Sequence, residues 1–249
     1  MIDIIINGDC LEVMPTIPDN SVDMVLADLP YGVEAAGSWD KLVPLDKLWC
    51  QLERIVKQDT AMVFTAVHPF VMQLINSNPA LFKYEWIWDK KNAANFYQSR
   101  YQPLRTHENI LVFSKAAATY TKQSTKLRYN PQMGSGEPYA RTRLNSGNYS
   151  YRNSWQQHKT ENAGTRYPTS ILHIVRPQMG GSLHPTQKPV ALFEYLIRTY
   201  TNEGDTVLDP TAGSGTTAVA CRKSNRHYIC IEKEADYCAI AEKRIKEML

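Results

Sequence analysis

The 249-residue chain lacks three things. None of its five cysteines (Cys10, Cys50, Cys221, Cys230 and Cys238) forms a Cys-x-x-Cys pair. An odd number without paired spacing argues against a disulfide framework or a zinc site, so no metal is expected. No apolar run approaches the roughly 18 residues of a membrane span. Met1-Ile2-Asp3 leads straight into an apolar strand, without the basic stretch of a secretory leader, so a cytoplasmic protein with no membrane partner is expected. Net charge is small, at +3. What remains is ordinary globular composition, 43% apolar and 21% charged. That suits one α/β core with a small appendage, since single cores grow to about 250 residues before they split.

The charge is unevenly placed. Residues 115–167 hold nine Lys and Arg against Glu137 and Glu161, which leaves the rest of the chain acidic by four. The same stretch loses all hydrophobic periodicity and carries six tyrosines (120, 129, 139, 149, 151 and 167) and Trp155. Aromatics interleaved with cations suit stacking on bases and pairing with phosphates. A solvated flexible insertion has the same composition, and that reading stays open.

Elsewhere the pattern alternates strand and helix. Ile2 to Ile6, Val22 to Ala27, Thr60 to Ala66, Tyr84 to Trp88 and Asn109 to Phe113 read as strands, and Leu45, Leu48, Leu52, Ile55 and Val56 as one face of a helix. After Pro189 come a helix facing inward through Leu192, Tyr195, Leu196 and Thr199, a strand over 206–208, a helix from Ala218, a strand over 227–231 and a last helix. Such βαβ units predict a parallel sheet with helices on both faces.

Two strand-end turns carry chemistry. The first is Asp28-Leu29-Pro30-Tyr31-Gly32, which delivers a carboxylate and a phenol to the sheet edge where ligands bind in open α/β folds. The second, Asp209-Pro-Thr-Ala212-Gly213-Ser214-Gly215-Thr216-Thr217, joins a strand to a helix through glycines that admit close backbone approach. Glu232 follows Asp209 by 23 residues. An acid about 20 residues on binds ribose in nucleotide-binding βαβ units. No Lys follows the glycines, which excludes a P-loop. Gly213-x-Gly215-x-x-Ala218 formally fits a nicotinamide enzyme, but that reading gives the Asp28 turn no role.

Together these motifs resemble the S-adenosylmethionine-dependent DNA amino-methyltransferases of the permuted β group, across nearly the whole chain. The family's Asp-Pro-Pro-Tyr stands here as Asp28-Leu29-Pro30-Tyr31, its His-Pro-Thr-Gln-Lys-Pro as residues 184–189, and its Asp-Pro-x-Ala-Gly-Ser-Gly-Thr-Thr as residues 209–217. The resemblance implies a Rossmann-like three-layer sandwich with a mostly parallel sheet, a catalytic half (1–114), a target-recognition insertion (115–170) and a cofactor-binding half (171–249). It implies S-adenosylmethionine as cofactor, double-stranded DNA as partner, and allows a homodimer and a cognate restriction endonuclease. Asp9 and Cys10 would lie beside the adenine of the cofactor and Glu232 on its ribose. Lys188, Ser214 and Thr216 would face the methionine moiety, with Asp28, Asp209, Ala212, Gly213 and Gly215 completing the pocket. Read without the resemblance, Asp9 is a turn residue, Lys188 a surface charge, and Ser214 and Thr216 helix caps.

The implied chemistry is methylation of an exocyclic amine, whose lone pair is delocalised into its ring. Asp28 and the Leu29 carbonyl would each accept one N–H bond and so localise that pair, with Pro30 shaping the turn and Tyr31 stacking on the base. Leu29 replaces the usual first proline, which predicts altered turn rigidity and retained activity. A base within a duplex must be flipped out to reach the pocket. Lys90, Lys91, Arg100, Arg105, Lys126, Arg128, Arg141, Arg143 and Arg152 are the expected DNA contacts. Adenine N6 is the expected target, because cytosine enzymes of the family more often carry Ser for the motif's Asp. Cytosine N4 remains the alternative. A nicotinamide oxidoreductase and a catalytically silent DNA-binding protein are the more remote ones.

Overall fold

The computed structural model describes residues 2–32, 42–120, 122, 125–144, 157–175 and 187–248. Its elements in chain order are β1 (Ile4–Asn7), α1 (Cys10–Val13), β2 (Val22–Ala27), α2 (Leu45–Ile55), β3 (Val56–Ala66), α3 (Phe70–Ser77), β4 (Phe82–Ala94) and β5 (Arg105–Phe113). Then follow β6 (Gly134–Ser135), β7 (Tyr139–Leu144), β8 (Gln157–Asn162), β9 (Thr165–Arg166) and β10 (Ile171–His173). The chain continues with α4 (Val190–Tyr200), β11 (Thr206–Asp209), α5 (Thr216–Lys223), β12 (His227–Glu232) and α6 (Ala235–Lys246).

Eight strands form one sheet in the order β1-β12-β11-β2-β3-β5-β4-β10. β5 is antiparallel to both its neighbours, and every other pairing in the sheet is parallel. The apolar run Met24 to Ala27 of β2 follows from this architecture, since a parallel sheet is covered on both faces. Val25 and Ala27 join the core layer that holds Leu48, Leu52 and Ile55 of α2 and Phe70 and Leu74 of α3. Met24 and Leu26 join the other layer, with Leu192 and Leu196 of α4 and Ala218 and Cys221 of α5. Burying each such Leu or Ile contributes roughly 1.5–3 kcal/mol.

α2 carries the chain from β2 to β3 in one direction, and α5 carries it from β11 to β12 in the other. Right-handed crossovers run in opposite directions place their helices on opposite faces and leave a crevice where they diverge. That divergence lies between β2 and β11, which are hydrogen-bonded neighbours. The fold is thus the expected α/β, Rossmann-like, mostly parallel sandwich.

Several boundaries differ from the sequence reading. β4 extends to Ala94 and β5 begins at Arg105, because the two pair with each other beyond their apolar cores. α3 had no sequence expectation. The chain divides into a large unit, Met1–Asn130 with Ser170–Leu249, and a small unit, Pro131–Thr169. Residues 115–130, which composition assigned to the insertion, pack in the large unit: Ala116 and Leu127 are buried in its core. The small unit pairs β7 with β8 and β6 with β9, both antiparallel. Within it the Tyr139 ring lies 5.2 Å from the Arg141 guanidinium and 4.8 Å from that of Arg166.

The five cysteines are free thiols, four of them buried and Cys50 exposed. Among the described residues no helix is long and apolar enough to cross a membrane.

Candidate active site

β1, β12, β11 and β2 are adjacent and parallel, so the residues after them emerge together at one edge: Asp9 and Cys10, Glu232, the glycine turn, and the Asp28 turn. The Thr211 hydroxyl, one residue past Pro210, donates to the Asp28 carbonyl oxygen at 3.2 Å and ties the two turns directly. Leu29 is 2% exposed and packed in the core, so its side chain anchors the turn from beneath where a proline would have stiffened it.

The Asp28 carboxylate is tightly held. Its Oδ1 accepts from the Tyr31 hydroxyl at 2.7 Å and from the Thr65 hydroxyl at the end of β3. Its Oδ2 accepts from Lys188 Nζ at 2.6 Å. A carboxylate offers about four acceptor directions, of which the described residues use three. The Tyr31 ring packs on Phe70 with centroids 5.3 Å apart. Burial first, and then the charge of Asp28, push its phenol well above the usual range.

Lys188 is 7% exposed and reaches a second acid, Glu108 in the first half of β5, whose Oε2 lies 3.5 Å from Nζ. Burial opposes the charge of Lys188, but Asp28, Tyr31 and Glu108 outweigh it and raise its pKa. Glu108 Oε1 accepts from Lys90 Nζ at 3.1 Å. Burial would raise the Glu108 pKa, and the two lysines reverse that and lower it. The site is thus a buried chain of alternating charge: Lys90, Glu108, Lys188, Asp28.

At the glycine turn, Gly213 has φ +53° and a Cβ built there would meet no atom within 4 Å, so its backbone faces open space. Its N–H donates to Glu232 Oε2 at 2.7 Å, while the N–H of Glu234 donates to Oε1 at 2.9 Å, which fixes the carboxylate at the tip of β12. Gly215 serves packing instead, since a Cβ there would sit 2.6 Å from that of Ala241 in α6. Asp209 is buried beneath the turn and accepts from the Thr211 N–H at 3.1 Å and from the Thr217 hydroxyl. Burial pushes its pKa up to about 7 against those bonds. Ala212 is buried on the same turn.

Asp9 caps α1 through the Leu11 N–H at 3.0 Å, the main cause of its lowered pKa, and pairs with Lys233 at 3.1 Å. Burial and the neighbouring Asp9 raise the Cys10 thiol to about 11, so it is a packing group beside the edge and not a nucleophile.

Five of the expected site residues have partners within the protein. Lys188 is aimed at Asp28 and Glu108, as a member of the acid cluster. Ser214 and Thr216 turn toward α6, where Arg244 Nη1 donates to the Ser214 carbonyl at 2.6 Å and lies 3.2 and 3.4 Å from the two hydroxyls. Lys90 is 5% exposed and paired with Glu108. Arg128 is locked among Asp59 at 2.8 Å, Asp23 at 3.5 Å and Asp205, at the opposite edge of the sheet.

Of the other cations, Lys91 pairs with Asp89 at 3.0 Å, Arg100 and Lys126 are exposed, and Arg105 donates to Asn95 at 3.2 Å. Arg141 is exposed on β7, where Arg143 also lies, while Arg152 and residues 184–186 fall outside the described residues. Sequence reasoning missed Glu108, Thr65 and Thr211. Their only signal was position, at the edge where the recognised turns emerge.

A family model described as DNA methylase, of the N6/N4 methyltransferases, matches residues 22–243. The chain is 27% identical to the Type II methyltransferase M.HinfI of Haemophilus influenzae over 274 aligned residues, covering 98% of this chain and 68% of that protein. Among solved structures, the M1.HpyAVI-SAM complex matches with a TM-score of 0.63 at 25% identity, over 96% of this chain and 98% of that one. The cytosine-N4-specific PvuII DNA methyltransferase matches in fold, with a TM-score of 0.67 at 16% identity, over 96% and 85%. The chain belongs to the N6/N4 DNA methylase family, and is a DNA methyltransferase.

Proposed function

We propose that the protein transfers a methyl group from S-adenosylmethionine to the N6 amine of an adenine flipped out of double-stranded DNA. The observation that carries this reading is the Asp28 carboxylate, held by Tyr31, Thr65 and Lys188 beside a glycine turn whose backbone faces open space.

The residues present fit the cofactor. Gly213 leaves room for close approach, and Glu232 is a preoriented carboxylate for ribose hydroxyls, with Asp9 and Cys10 just past the end of the neighbouring strand β1. When bound, S-adenosylmethionine supplies the electrophilic methyl group. The chain's own work is then to prepare the amine. Asp28 accepts one N–H bond and the Leu29 carbonyl the other, which localises the nitrogen lone pair and aims it. Tyr31, backed by Phe70, supports the base ring. Thr65 and Lys188 keep the carboxylate from rotating, so the alignment is present before substrate arrives.

Flipping a base costs a few kcal/mol, which phosphate contacts and stacking must offset. Exposed Arg100, Lys126 and Arg141 and the exposed rings Tyr97 and Tyr101 are the side chains suited to it.

The test is to incubate DNA with the protein and methyl-labelled cofactor, digest to nucleosides and identify the labelled one. N6-methyl-2′-deoxyadenosine is expected. N4-methyl-2′-deoxycytidine, whose amine needs the same two acceptors, would overturn the choice of base, and unlabelled DNA would overturn the reading entirely.

A further inference from the structure

Two buried residues have no part in the chemistry described so far. Glu108 lies in the first half of β5 and faces Trp88 of β4 in the sheet register, two residues before Lys90. Because β5 is the antiparallel strand, its first residues lie at the edge where the parallel strands end, beside Asp28. Glu108 and Lys90 side chains are 13% and 7% exposed. Burying an ion costs several kcal/mol unless it is paired and bonded, so this pair needs a reason beyond solubility.

The contacts supply one. Lys188 carries three donors, and Asp28 uses one of them. Glu108 stands on the ammonium's other side at 3.5 Å, and Lys90 balances Glu108 in turn. Glu108 Oε2 meets Lys188 as an ion pair at 3.5 Å, longer than the 2.6 Å contact of Lys188 with Asp28. Without Lys90, two carboxylates would compete for the single Lys188 ammonium. Without Glu108, two ammonium groups would crowd one carboxylate and leave an excess positive charge. That excess would oppose the positive charge that develops on the amine nitrogen as the methyl group arrives.

We propose that Glu108, balanced by Lys90, is a positioning residue for methyl transfer: it anchors the Lys188 ammonium on Asp28 and keeps the reacting edge electrically neutral. The proposal rests on the reading of Asp28 as the amine acceptor.

Charge balance gives it a test that a merely structural role would not pass. Glu108→Gln is expected to lower the single-turnover rate of DNA methylation about 100-fold, with the DNA dissociation constant and the cofactor KM unchanged. Adding Lys90→Met removes the stranded cation and leaves Lys188 and Asp28 as a neutral pair. The double variant is therefore expected to run at least ten-fold faster than Glu108→Gln alone. The proposal is overturned if Glu108→Gln stays within three-fold of the parent rate, or if the double variant is less than three-fold faster than Glu108→Gln. Should Glu108→Gln not fold, the double variant is read against the parent: a rate within ten-fold supports the proposal and a lower one overturns it. Asp28→Ala is the control, since persistent methyl transfer in that variant would remove the underlying reading instead.

Discussion

The two edges of the main sheet each hold an ion cluster that joins distant segments, and they are built differently. At the edge where β1, β12, β11 and β2 end, Lys90, Glu108, Lys188 and Asp28 alternate in sign, balance, and are mostly buried. At the other edge, Arg128 sits among Asp23, Asp59 and Asp205, with Lys57 also on Asp23 at 2.7 Å. That second cluster spans β2, β3, the approach to β11 and the segment after β5, and Asp23 also accepts the Thr206 N–H at 3.1 Å. Its ion pairs hold one segment of the chain to another. The first cluster ends instead at a carboxylate whose own backbone is tied to the glycine turn through the Thr211 hydroxyl. A buried ion network thus points to a reactive site when it ends beside a ligand-binding turn, and to a clamp when it only joins segments away from one.

The largest break in this comparison is Asp28→Ala. Loss of the amine acceptor is expected to lower kcat about 10³-fold and also to lower the thermal midpoint, because the buried Lys188 ammonium loses its 2.6 Å partner and is left with Glu108 at 3.5 Å. Single-turnover kinetics and a melting curve measured on one preparation check it.

Next comes pH. Asp209 binds its proton more tightly folded, at about 7, than the unfolded carboxyl at 3.8. Between those values the native state holds more protons than the unfolded state, so stability falls as pH rises. The loss attributable to Asp209 amounts to up to about 4 kcal/mol across that window. Denaturant unfolding at pH 4.5 and 7.5 is expected to show a flatter pH dependence for Asp209→Asn than for the parent, with the stability change between the two pH values smaller by about 3 kcal/mol.

The smallest effect is at the opposite edge. Arg128→Met is expected to cost about 2 kcal/mol of stability, less than a fully buried pair because the arginine is partly exposed. Its kcat and its DNA affinity should not change. A weakened DNA affinity in a variant that keeps its stability would restore Arg128 to the DNA-contacting set and undo the contrast between the edges.

Much of this was written in the local sequence. The strand-then-turn pattern at Asp28 and Gly213 is self-contained, because a buried run followed by Pro and Gly admits few other geometries. The helix Leu45–Ile55 was legible from apolar spacing for the same reason. The small unit was not, since β7 reads Tyr-Ala-Arg-Thr-Arg-Leu and presents no apolar face to betray a strand. Its pairing comes from hydrogen bonds with β8, which no local periodicity reports.

Charge was the least legible feature. Lys90 and Lys91 are neighbours in sequence, yet one is buried on Glu108 and the other exposed beside Asp89, because successive residues of a strand point to opposite sides. The amino-acid order alone determined which strands carry an acid or a glycine turn at their ends, since that depends on residues in direct succession. Only the tertiary structure decided that β5 would run backward and set Glu108 beside Lys188. An ion pair between residues 80 positions apart is a property of strand register, and register is chosen by the whole sheet at once.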